Sequence, residues 1–189
     1  QEQQTINTVQ NEQEQQTINT VQSTQEQYAE SGRTSISKPD MEELRQLYNS
    51  LPTYDKLYKT EPVVEGTDYH IAVLSDEAYD TAKGLINYYR RVAGLGDITL
   101  SDDVNESAAY GALALAMNNR GLTHYPSQPK DMSSIDYNKA YAATTSSNLS
   151  SASGYSEKRI ISVAVSGQIG DSDSSNIDTL GHRRWLLNP

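Results

Sequence analysis

A chain of 189 residues holds one domain of ordinary size plus an extension. Its formal charge of −10 argues against nucleic acid, whose phosphate backbone selects clustered Lys and Arg, and disfavours adsorption to an anionic membrane surface. With no cysteine the chain has no disulfide or thiolate metal site, and no apolar run approaches the length of a bilayer span.

Residues 1–30 form a Gln-rich leader. Residues 1–10 read Gln-Glu-Gln-Gln-Thr-Ile-Asn-Thr-Val-Gln, and residues 13–22 repeat them. On a helix an offset of twelve turns the chain roughly 120° beyond whole turns, so the two Ile/Val pairs do not share a face. As strands, Ile6 and Val9 point to opposite faces. The composition suits a solvated stalk. Gln1 opens without a charged n-region or apolar h-region, which fits a cytosolic chain and a mature secreted form equally.

Residues 31–74 read as a connecting segment. A short helix is expected over residues 40–51, with Asp40 as cap, Leu44, Leu47, Tyr48 and Leu51 as the apolar stripe, and Pro52 as the stop. Residues 69–74 predict a short strand.

From Ser75 the pattern sharpens. Ser75 caps a helix with Ala78, Ala82, Leu85, Ile86, Tyr89 and Ala93 along one face, ended by Gly94. Residues 97–100 predict an extended segment. Ser101 caps a second helix with Val104, Ala108, Ala112, Leu115 and Ala116 inward, stopped at Asn119-Arg120-Gly121. A weaker helix is expected over residues 134–143. A further one starts at Ser156 and carries Ile160, Val163, Ala164 and Ile169. The core leans on Leu, Ile, Val, Ala and Tyr, since there are 13 Tyr, one Trp and no Phe.

The chain closes on Gly181-His182-Arg183-Arg184-Trp185-Leu186-Leu187-Asn188-Pro189. Upstream stand Asn87-Tyr88-Tyr89-Arg90 on the first sharp helix, an Ala-rich second helix, and Leu122-Thr123-His124 just beyond it. In this order, over residues 75–189, these motifs resemble the bacterial branch of the CAP superfamily. That family is named for cysteine-rich secretory proteins, antigen 5 and pathogenesis-related 1 proteins. The resemblance implies an α+β fold, a three-layer α-β-α sandwich with an antiparallel central sheet, and an extracellular or cell-surface location. The absence of cysteine suits the bacterial branch. The family continues past Asn-Pro into two more strands, so the resemblance implies a sandwich that lacks its closing strands here. An open sheet edge then predicts self-association, or pairing with the β-prone Thr-Ile-Asn-Thr-Val stretches of the leader.

The resemblance also implies a cleft in which two histidines and two acids face one another and can hold zinc. His124 and His182 match the histidines. Ser147 stands at the first acidic position, in Ser146-Ser147-Asn148-Leu149, and Asp171 matches the second, with Asp173 as the register alternative. The expected ligand cleft is therefore His124, Ser147, Asp171 and His182. The expected metal set is His124, His182 and Asp171, holding zinc or another divalent cation only weakly because one anion is lost. The implied ligand is a small molecule, lipid, peptide or cell-wall component. An alternative is an extracellular, peptidase-like hydrolase using His124, His182 and Asp171, with or without a metal.

Plainer readings stand beside these. A histidine after a helix stop can bond the last carbonyls of a helix. Asp171-Ser172-Asp173-Ser174-Ser175-Asn176 suits a solvated turn and lacks the Gly and terminal Glu of a calcium loop. Ser147 sits in a Ser/Thr-rich run with no Gly-x-Ser-x-Gly elbow, which argues against a nucleophile. His70 falls outside the matched region and is assigned no role.

Overall fold

The computed structural model describes residues 41–174 and 176–189. The leader and the Asp40 cap lie outside the described residues. Helix α1 (Met41–Asn49) comes first, then β1 (Tyr58–Thr60) and β2 (Val73–Leu74). Four more helices follow: α2 (Asp76–Val92), α3 (Asp102–Asn118), α4 (Ser134–Ser146) and α5 (Glu157–Gly170). Helix α6 (Gly181–Leu186) is the last element. The described residues are thus mixed: six helices and one two-stranded antiparallel sheet.

Local chemistry sets most boundaries. The Ser75 hydroxyl accepts from the Ala78 N–H at 3.1 Å and opens α2. Gly94, at φ +74°, closes it with a conformation that costs glycine little. Asn119 ends α3 in the left-handed region, where its short polar side chain is tolerated. Ser101 sits at the N-cap of α3 as expected, although its side chain makes no capping bond. Ser133 opens α4 by accepting from the Asp136 N–H at 3.1 Å, and α4 runs beyond the expected residue 143.

Two expectations differ from what is seen. The strand expected over residues 69–74 shrinks to β2, and His70 instead bridges Val63. An irregularity between Tyr58 and Thr60 breaks the register of the β1–β2 ladder. Residues 97–100 form no strand, because a side chain takes the place of a partner strand. Asn87 Oδ1 accepts from the Ile98 N–H at 2.8 Å, and its Nδ2 faces the Ile98 carbonyl at 3.5 Å. The inward face of α3 is also rotated. Gly111, Leu113 and Ala114 are buried, whereas Val104 is 64 % exposed. Tyr110, Leu113 and Met117 carry more apolar surface than Ala108, Ala112 and Ala116, so burial favours turning them inward.

Two clusters form the core. Leu113, Ala114, Met132 and Ala140 join α3 to α4, flanked by Tyr69, Ile71, Tyr110, Met117 and Tyr137. The helices approach closely at Gly111, where an added Cβ would lie 3.3 Å from Thr144 Cγ2 and 3.4 Å from Ala143 Cβ. The second cluster, Tyr54, Leu57 and Ala78, packs against Leu74, Ile160 and Ile161, so residues of the connecting segment pack on α2 and α5. Tyr54 donates its hydroxyl proton to the Glu157 carbonyl at the start of α5. Among the described residues no helix is long and apolar enough to cross a membrane.

Candidate functional site

Helices α3, α5 and α6 deliver the site from three separate ends. His124 follows the left-handed stop of α3, Asp171 is the C-cap of α5, and His182 lies in the first turn of α6. All three line one open cavity of about 610 Å³, together with Ser150, Ser151 and Gln168 among others. Asp171 occupies the left-handed region at φ 48°, which an aspartate tolerates, and the turn after it carries the chain to α6.

Asp171 is 2 % exposed and both of its carboxylate oxygens are engaged. Its Oδ1 lies 2.9 Å from His182 Nδ1, and its Oδ2 accepts from the Arg183 backbone N–H at 3.1 Å. Burial pushes this carboxyl upward, but the bonds from His182 and Arg183 outweigh it and hold the group below its ordinary value. Arg183 ties the same junction from the other side, donating from Nε to the Ile169 carbonyl and from Nη2 to the Gly170 carbonyl. These are among the last carbonyls of α5, which have no partner within their own helix.

His124 is fixed by a different helix. Its Nδ1 lies 2.6 Å from the carbonyl of Thr144, in the last turn of α4. The ring therefore caps α4, not α3, the helix it follows. A carbonyl and a carboxylate accept but do not donate, so in both neutral histidines Nδ1 carries the proton and Nε2 is the lone pair. Both rings are thus oriented from behind, the arrangement that second-sphere acceptors impose on imidazoles that bind or move protons. Asn148 braces His182 by its backbone, donating from Nδ2 to the His182 carbonyl at 3.0 Å and facing Gln168 Oε1 at 3.4 Å.

Ser147 lies elsewhere. It is the exposed C-cap of α4 and lines an adjoining groove of about 330 Å³, not the cavity of the imidazoles. That groove is walled by Ala112, Leu115 and Ala143, and shares Leu122, Leu149, Ser150 and Ser151 with the cavity. His70 is remote in role as well: its backbone bridges Val63 and its Nδ1 faces the neighbouring Ile71 carbonyl. Residues 181–186 form α6, on which Trp185 is 70 % exposed.

The donor set for a cation is short. Two imidazole nitrogens are available, while the Asp171 oxygens are committed to His182 and Arg183. Among the described residues no group of three or more His, Cys, Asp and Glu is arranged to hold a metal ion. A catalytic zinc site ordinarily takes three protein ligands, so this set does not fit one.

Sequence reasoning missed the Thr144 carbonyl, which carries no side-chain signal, and the bracing by Asn148, whose place in Asn148-Leu149 was the available clue. No protein-family model, curated protein or solved structure matches the chain.

Proposed function

We propose that this chain is an extracellular, CAP-type ligand-binding module, with its ligand held in the cleft between His124 and His182. The fold that goes with this reading is the three-layer α-β-α sandwich, to which α2–α5 would contribute helical layers. The observation that carries the proposal is the meeting of two histidines, far apart in sequence, on one open cavity with both Nδ1 atoms anchored. Two imidazoles that line one polar cavity, each with Nδ1 already engaged, suit recognition of a hydrogen-bond donor at Nε2. Asp171 acts in this scheme as the positioning partner of His182, and no metal is required.

A second reading, a peptidase-like hydrolase, is favoured by the Asp171–His182 pair. A buried carboxylate bonded to Nδ1 orients an imidazole so that Nε2 can take a proton from water and stabilises the imidazolium that forms. Replacing both histidines by alanine separates the readings. Loss of cleavage of a peptide or wall-fragment library supports the hydrolase. Ligand capture that depends on the histidines, with no turnover in the wild type, supports the binding module. If the double variant captures the same ligands as the wild type, the cleft has been misassigned.

A further inference from the structure

We infer that the ligand of the cleft is an uncharged peptide segment, with an apolar side chain seated in the groove beside the imidazoles and its amides lying across the cleft. This rests on the cleft reading above and adds the class of ligand. The groove and the cleft adjoin, since Leu122, Leu149, Ser150 and Ser151 wall both. A ligand held at the imidazoles therefore has an apolar floor within reach of its next group. That floor, Ala112, Leu115 and Ala143, offers burial and no charge.

Charge and hydrogen bonding narrow the class. Among the described residues no Lys or Arg lines either cavity, while Asp171 and Asp173 line the cleft. A carboxylate or phosphate headgroup thus finds no fixed cation and meets a negative field. The rim carries Ser147, Asn148, Ser150 and Ser151, short polar groups strung along the groove. A peptide backbone, with a donor and an acceptor at every residue, matches such a rim; a bare methylene chain leaves it unpaired. When the rings of His124 and His182 are neutral, their Nε2 atoms accept from N–H donors, which amides supply.

The test uses the full chain and three probes: acetyl-Leu-Gly-Gly-amide, acetyl-Gly-Gly-Gly-amide and octanoate. Binding is read from the imidazole signals of His124 and His182 by proton–nitrogen NMR. The leucine peptide is expected to shift both rings and to bind about tenfold more tightly than the glycine peptide, since it adds one buried apolar side chain. Ala112→Phe, at an exposed position on α3, fills the groove and is expected to erase that preference. Equal binding of the two peptides overturns the inference and leaves the cleft reading intact. Octanoate binding more tightly than the leucine peptide overturns it in favour of an acyl ligand. If no probe moves either ring, the cleft reading falls and the inference falls with it.

Discussion

Replacing Arg90 by methionine removes the clasp that holds α6, and with it His182, against the end of α2. Arg90 is 8 % exposed. Its Nε donates to the Gly96 carbonyl at 2.7 Å, and its Nη1 donates to the carbonyls of Leu186 at 2.9 Å and Asn188 at 2.8 Å. A hydrogen bond from a charged donor contributes about 1.5–3 kcal/mol, so three gross about 4.5–9 kcal/mol. Two effects offset this: the variant no longer buries a guanidinium, and the freed carbonyls at the surface rehydrate. Methionine also keeps most of the packing of the arginine stem. A net loss of about 3 kcal/mol is expected, or about 6–12 °C in Tm at about 2–4 °C per kcal/mol for a domain of this size. Differential scanning calorimetry measures it. Arg90→Lys is expected to lose most of the same stability, because one ammonium cannot serve three carbonyls in a planar fork. A Tm within about 2 °C of the wild type for the methionine variant refutes the clasp.

Two further predictions concern Asp136 and the pair of imidazoles. Hydroxyl donation from Tyr69 at 2.7 Å and from Ser133 at 2.9 Å holds the Asp136 carboxyl below its ordinary value, against the opposing effect of burial. Its contribution is therefore complete above the ordinary aspartate pKa and is lost as pH falls through the folded value. Urea unfolding from about pH 5 to about pH 3 is expected to cost the wild type more stability than Asp136→Asn; equal losses sink the assignment. Zinc titrated calorimetrically is expected to bind weakly and to lose even that with alanine at His124 or His182. Tight binding that survives both substitutions shows that the metal sits elsewhere.

What was legible in the sequence was chiefly what neighbours in the chain decide. Ser75 before α2, Gly94 after it and Asn119 after α3 each act within one turn of their own position, so residue type alone placed them. The inward face of α3 was harder to read. Alanine at 108, 112 and 116 suits either side of a helix, and the choice was made by Tyr137 and Met132, which reach it from elsewhere in the chain. For residues 97–100 the sequence offered only an extended segment and could not show that Asn87 takes up the Ile98 backbone. At the site, the resemblance paired His124 with His182. The groups that orient them were only partly visible: Asp171 was named as a cleft, metal-ligand and hydrolase residue but not as the anchor of His182 Nδ1, and the Thr144 carbonyl is common to every residue type and so carried no sign of its role.

The exposed Trp185 has a practical consequence. It is the chain's only tryptophan, and it stands on α6, the helix that carries His182. Excitation at the red edge of the absorption band bypasses all 13 tyrosines and reports from α6 alone. Because the indole is already 70 % in water, its emission colour should change little when α6 loosens. Its anisotropy should fall instead, because the ring would then tumble with a freed segment and not with the whole domain. Native fluorescence thus offers a label-free gauge of how firmly His182 is held, without altering a residue of the site.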